Sequence, residues 1–254
     1  MKITKLLLPS LTMIGLSAVT SVNAATITSQ TFATDQVFET GGQTSWTEGL
    51  GDNTITYSGG GLGFVAASKA SGVGIQTVGG TLRGGHMSGS GTGGFKLPAE
   101  GKYAVPDSLS SIFDDKKSGF ALFSTVDLSG HDSSTMTLNL ATTIGGSSQD
   151  DDAMFVRLYL DGLATGIDVL TMFGNSNTTA LADDTTFAGG LLTYTFDDTV
   201  TSAELIIGFH VDEDIDYYTV DNVSFDGTVA AVPEPTTTAL LALGGLALIL
   251  RRRR

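Results

Sequence analysis

The sequence predicts an all-β body, a two-sheet antiparallel sandwich, and three observations carry that prediction. Short runs rich in Val, Ile, Thr, Phe and Tyr recur along the chain, each bounded by Gly, Asp, Asn or Ser. No stretch of the body holds a helical period of apolar residues. The body, residues 25–231, is long enough to bury a sizeable core, and it must do so without covalent help because the chain has 0 cysteines.

Taken in order, strands are expected at Thr26–Phe32, Thr54–Ser58, Gly63–Ala67, Gly74–Val78, Thr81–His86, Gly119–Val126, Met136–Ala141, Ala153–Leu160, Asp168–Met172, Leu191–Phe196, Ala203–Val211 and Tyr217–Phe225. Alternation is plainest in the second half. Met154, Val156, Leu158 and Leu160 share one face of their strand, and Phe155, Arg157 and Tyr159 share the other, so one face is apolar and the other mixed. Asp161-Gly162 then supplies a hairpin turn. Leu205, Ile207 and Phe209 alternate with Ile206, Gly208 and His210. The first half differs, with 19 of the 33 glycines between Gly41 and Gly101. Ile55, Tyr57, Leu62, Phe64, Val73, Ile75 and Leu82 are interspersed among them, which favours glycine-rich turns and bulges over a disordered linker. Lys102–Lys117, with Pro106 and a short helical turn at Ser108–Phe113, is the one plausible joint.

Both ends stand apart from this body. Met1–Ala24 has the build of a secretory signal helix: Lys2 and Lys5, an apolar run through Leu6–Val19, and small residues before a cut between Ala24 and Ala25. At the other end, residues 232–254 read VPEP, then TTTALLALGGLALIL, then RRRR. Pro233 and Pro235 bar helix and central strand, so this boundary is extended and accessible. Residues 236–250 carry no charge and as a helix would reach about 22 Å, a little short of a roughly 30 Å hydrocarbon core. Arg251, Arg252, Arg253 and Arg254 can snorkel to one interface, which extends the span and holds that end in the cytoplasm.

This tail closely resembles the PEP-CTERM sorting signal of Gram-negative bacteria that make exopolysaccharide, with Pro233, Glu234 and Pro235 as its box, residues 236–250 as its transmembrane helix and Arg251–Arg254 as its basic end. The resemblance implies a substrate of exosortase, a peptidase of the inner membrane. It implies transient anchoring there through the C-terminal helix, then release or attachment at the cell surface or in the extracellular matrix. A simple anchor that is never cut is the plainer alternative. Within the body, Tyr217–Phe225 (YYTVDNVSF) resembles the closing strand of galactose-binding-like and carbohydrate-binding jelly rolls, and Ser124–Gly130 (STVDLSG) resembles an early sheet strand of such domains.

Charge narrows the partners. Setting aside Lys2, Lys5 and the terminal arginines leaves 7 of 13 basic residues, and setting aside Glu234 leaves 26 of 27 acidic ones, a body near −19. Nucleic acid and anionic membrane surfaces bind through Lys and Arg clusters that this body lacks.

The acidic run HVDEDIDYYTVDN is the best candidate site. Asp212, Asp214 and Asp216 would share one face of an extended segment, with Asp221 following on the closing strand. Calcium, which takes six to eight oxygen ligands, is the cation such a set fits, against the plainer reading of a solvated acidic loop. The spacing is not that of an EF-hand, because Tyr217 and Val223 stand where Gly and Glu are required. Asp150, Asp151 and Asp152 read as a solvated turn. His86, His131 and His210 are too scattered for a two-His metal motif. Gly89, Gly91 and Gly94 satisfy a dinucleotide-loop pattern without its helix. No GxSxG elbow is present, and no carboxylate pair has a glycosidase-like order. A non-catalytic protein is therefore expected. For a glycan, the stacking residues on offer are Trp46, Tyr57, Tyr159, Tyr217 and Tyr218, with Trp46 in a polar stretch and Tyr217 and Tyr218 preferred. In an extended strand the last two must point to opposite faces. The expectation is an exported polysaccharide-binding sandwich of the exopolysaccharide matrix, with a structural biofilm protein and a glycosidase or lyase as the competing classes.

Overall fold

The computed structural model describes residues 24–38, 54–57, 59, 61–68, 73–86, 102–113, 118–143, 152–173, 176–180, 189–211 and 217–230. The signal helix, Trp46, the run Asp212–Asp216 and the whole of the 232–254 tail lie outside these residues. Among the described residues no helix is long and apolar enough to cross a membrane.

Among the described residues fifteen strands form two antiparallel sheets. They are β1 (Ala25–Gln30), β2 (Gln36–Phe38), β3 (Ile55–Thr56), β4 (Phe64–Ala67), β5 (Val73–Val78), β6 (Thr81–His86), β7 (Ser118–Phe123), β8 (Val126–Asp127), β9 (His131–Thr143), β10 (Ala153–Leu160), β11 (Ile167–Phe173), β12 (Ser176–Ala180), β13 (Gly189–Thr195), β14 (Ser202–His210) and β15 (Tyr217–Val229). One sheet has seven strands in the order β13-β9-β15-β6-β5-β2, with β1 also on β15. The other has eight in the order β12-β11-β10-β14-β7-β4-β3, with β8 also on β14. The expected strands are all present. Gly119–Val126 is two strands rather than one, because Val126 and Asp127 leave β7 to pair with Ala203 and Ser202. β2 and β12 were not foreseen.

The long strand β15 is divided at Asn222, whose φ of 52° takes it out of extended geometry. Before this bulge, Tyr217–Val220 pair with β6; after it, Val223–Gly227 pair with β1. β9 runs along the other side of β15 throughout. The first and last described strands thus share one ladder, with Ala25 opposite Gly227 at one pole of the sandwich. Tyr217, His86 and Thr143 mark the opposite pole.

Between the sheets lies the main core, to which Met154, Val156, Leu158, Leu205, Ile207, Phe209, Leu138, Tyr218, Val220 and Phe225 contribute. Tyr57 and Phe64 stack at 4.6 Å, with Phe32 edge-on to Phe64 at 5.8 Å. Buried Gln30 is satisfied locally: its amide donates to Leu62 O (2.7 Å), and its Oε1 accepts from Phe32 N (2.8 Å). At Gly84 a Cβ would overlap the Phe209 ring of the facing sheet, so the glycine permits close approach there. The hairpin turn expected at Asp161-Gly162 is formed, with φ of 52° and 70° and Leu163 N donating to Leu160 O at 2.9 Å.

The second face of β10, read as mixed, is buried. Residues 102–113 cross the outside of the eight-stranded sheet, with Asp107–Leu109 as a 3-10 turn, and Val105, Leu109 and Phe113 form a second core with Phe155, Tyr159, Phe120 and Ile206. The stretch read as a joint is therefore a strap. Arg157 ties it down by donating to Ala104 O (2.6 Å) while pairing with Asp168 (2.5 Å), and Lys102 pairs with Glu204 at 2.7 Å.

Candidate functional site

With one sheet strapped, the open broad surface among the described residues is the outer face of the seven-stranded sheet. Its composition follows from strand parity. Leu82, Leu138, Leu140, Tyr218 and Val220 point inward, so Arg83, Asn139, Tyr217, Thr219 and Asp221 point outward. Register then brings them together. Thr219 lies between Arg83 on β6 and Ala141 on β9, and Asp221 lies beside Asn139, which is in turn opposite Leu191 on β13.

The Arg83 guanidinium carbon sits 3.4 Å from the centroid of the Tyr217 ring, a diagonal cross-strand stack. Three Lys or Arg side chains occur among the described residues. Lys102 and Arg157 are engaged with Glu204 and Asp168 on the opposite sheet, and Arg83 is placed on this open face. Towards the other pole the face continues as hydroxyls and carboxylate, with Thr193, Thr137 and Ser224 in one cross-strand row and Thr195, Thr135 and Asp226 in the next. Asp226 accepts from Thr26 Oγ1 at 2.7 Å and Ser224 Oγ at 2.9 Å. This surface offers an aromatic stack, a fork of cationic donors, carboxylate and amide acceptors, and hydroxyls. That set suits a polyhydroxylated ligand.

Of the residues singled out in the sequence, Tyr217 is on this face and half-buried, while Tyr218 is fully buried in the core, 6.5 Å from the Phe209 ring, and Tyr57 and Tyr159 are buried in the main and second cores. Asp221 is on the face; Asp212, Asp214, Asp216 and Trp46 lie outside the described residues. Ala24 is exposed and Ala25 opens β1. Asp152, read as part of a solvated turn, is fully buried at the start of β10. His210 is buried with its Nδ1 2.9 Å from Ser118 Oγ and its ring against Phe113 (5.4 Å), far along the fold from His131 at the start of β9. Among the described residues no three His, Asp or Glu side chains converge to hold a metal. Arg83 and Asn139 were not foreseen, since only the register of β6 and β9 on β15 places them beside Tyr217 and Asp221.

The body is thus an all-β, two-sheet antiparallel sandwich with one open polar face. Residues 231–254 match the family model of the PEP-CTERM protein-sorting motif, so the chain carries a sorting motif at its C-terminus. No curated protein matches the chain. Among solved structures, it is similar to a family 61 carbohydrate-binding module in complex with β-1,4-galactotriose (8% identity, 64% of this chain and 86% of that one, TM-score 0.31). It is also similar to the CBM22-1 xylan-binding domain from Paenibacillus barcinonensis Xyn10C (10% identity, 84% and 100%, TM-score 0.32). A Stig cyclase from Fischerella sp. TAU is similar too (8% identity, 85% and 94%, TM-score 0.30). At these scores the similarities assign neither ligand nor reaction to this chain.

Proposed function

We propose that this protein is an exported, non-catalytic glycan-binding sandwich of the cell surface or extracellular matrix, delivered there through its C-terminal sorting signal. The observation that carries the binding role is the grouping of Tyr217, Arg83, Thr219, Asp221 and Asn139 on the open sheet face, while the other sheet is covered by its strap. Sugar rings present apolar C–H faces for stacking and rims of hydroxyls for paired donors and acceptors, and the grouping supplies both. The carboxylates Glu204 and Asp168 on the strapped side are held in ion pairs with Lys102 and Arg157, so the acidic groups available to a ligand on the open face are Asp221 and Asp226. Sorting in this reading depends on exosortase acting at Pro233, Glu234 and Pro235 while residues 236–250 hold the chain in the inner membrane. Release or attachment follows the cut.

The test is binding of the full-length chain, purified in detergent, to a panel of polysaccharides that includes the exopolysaccharide of the producing cell. Tyr217→Ala and Arg83→Ala variants are measured beside it. Selective binding that both variants weaken supports the proposal. Binding that neither variant weakens moves the site elsewhere. Absence of binding across the panel leaves the structural matrix protein, a reading that the otherwise hydroxyl-rich face also suits.

A further inference from the structure

We propose that β13 is a self-association edge, through which two copies of this chain join by antiparallel pairing of β13 with its symmetry mate. The six edges among the described strands are unequal: β3 and β8 have 2 residues each, β2 has 3, β12 has 5, β1 has 6 with the loop at Leu62 donating to its Ser29 O, and β13 has 7. Edges as short as β2 and β3 offer little to another strand. Longer ones are ordinarily protected by Lys, Pro, inward charge or a covering segment. β13, Gly-Gly-Leu-Leu-Thr-Tyr-Thr, has no charged residue and no proline in a body that carries about one acidic residue in eight. Among the described residues it is laddered on one side alone, to β9.

The choice of a second copy as occupant rests on self-complementarity. A two-fold axis at Thr193 sets Leu191 opposite Thr195, Leu192 opposite Tyr194, and Thr193 opposite its own mate. Leu192 and Tyr194 point to the core side, where Leu192 is 4% exposed and Tyr194 packs edge-on against Phe196 at 5.1 Å, so the inner layer continues across the join as aliphatic-aromatic pairs. On the outer side Leu191, 62% exposed in the single chain, gains a threonine methyl. No charge meets a like charge at this strand, although the two acidic bodies repel at long range. Association is therefore strengthened by salt, the opposite of what a basic partner attracted to this body would show. The join would set two Tyr217 faces on one continuous sheet surface, an arrangement that raises avidity for a repeating polymer; the dimer itself does not depend on glycan binding.

The experiment is light scattering of the full-length chain in detergent across ionic strengths, with single cysteines placed in a chain that has 0 of its own. Directly opposed residues of an antiparallel pair lie about 4.5–5.5 Å apart at Cα, within disulfide reach. Thr193→Cys is expected to give a covalent dimer on mild oxidation, and Leu191→Cys, displaced by several residues from its own mate, is expected to stay uncrosslinked. Thr193→Lys, which sets two ammonium groups face to face, is expected to weaken dimerisation about tenfold or more with an unchanged circular dichroism spectrum. A chain that is monomeric at all ionic strengths overturns the proposal. So does a dimer that Thr193→Lys leaves intact, or one that crosslinks equally through both cysteines.

Discussion

The Arg83 guanidinium carbon lies over the Tyr217 ring, 3.4 Å from its centroid, across the β6 and β15 ladder. The contact lets each side chain limit the other, the ring face restricting where the five-donor fork can point. Removing either should disorder the other. Tyr217→Ala and Arg83→Ala are each expected to weaken glycan binding by about 10–100-fold, and Arg83→Lys to recover little because an ammonium lacks the planar fork. Titration calorimetry against the best member of the polysaccharide panel checks this. Full affinity in Arg83→Lys would show that charge alone matters there.

The neighbouring tyrosines should part company in stability. Tyr218 is fully buried among core residues and Tyr217 is on the surface. Tyr218→Ala is expected to cost about 3–5 kcal/mol and Tyr217→Ala less than about 1 kcal/mol. Urea unfolding of the two variants measures both. Equal losses would mean that the bulge at Asn222 does not fix the facing of β15 in solution.

Close approach of the sheets at Gly84 gives a third expectation. Ala at this position drives a methyl into the Phe209 ring and should destabilise the protein by about 1–3 kcal/mol. Shortening the partner with Phe209→Leu in the same chain should return part of that loss, a coupling that a double-mutant cycle reads directly. Strict additivity would refute the contact.

Acid sensitivity follows from the turns at the pole where Ala25 pairs with Gly227. Asp161 is held below the ordinary carboxylate value by the Thr201 hydroxyl and then by the Thr201 and Ser202 amides. Asp127 is lowered by Ser129, and Asp197 by the Thr199 amide and hydroxyl. A carboxylate whose folded pKa is lowered contributes stability above its unfolded value, and that contribution is lost as pH falls through the folded pKa. Melting temperature should therefore drop as pH is taken from about 5 down towards 2. Asp161→Asn, which keeps an acceptor and tolerates the φ of 52°, should shallow that slope while nearly preserving stability at neutral pH. A slope identical to that of the natural chain would remove Asp161 from the account.

The sandwich was legible because alternation reports which side of a strand is dry, and Leu205, Ile207 and Phe209 carry that signal without any knowledge of partners. What escaped had no local period. Residues 102–113 look like a connector because their apolar members, Val105, Leu109 and Phe113, take meaning only from Phe155 and Ile206 beneath them. β2 and β12 are too short or too polar to rise above their surroundings. At the candidate site the same limit applied. Tyr217 and Tyr218 could be told apart in principle, since adjacent residues of a strand face opposite ways, but which one was outward depended on the neighbouring sheet. Arg83 reaches its partner through a register that no pattern within β6 encodes.

The pairing of Ala25 with Gly227 sets a timetable for folding. Closing the longest loop in the molecule is the step that completes β1, and its entropy is recovered only when β15 is already seated beside β9. A chain threaded across a membrane from its N-terminus must hold its first strand unpaired until nearly the whole body has followed. The first strand in sequence is then the last to be laid down.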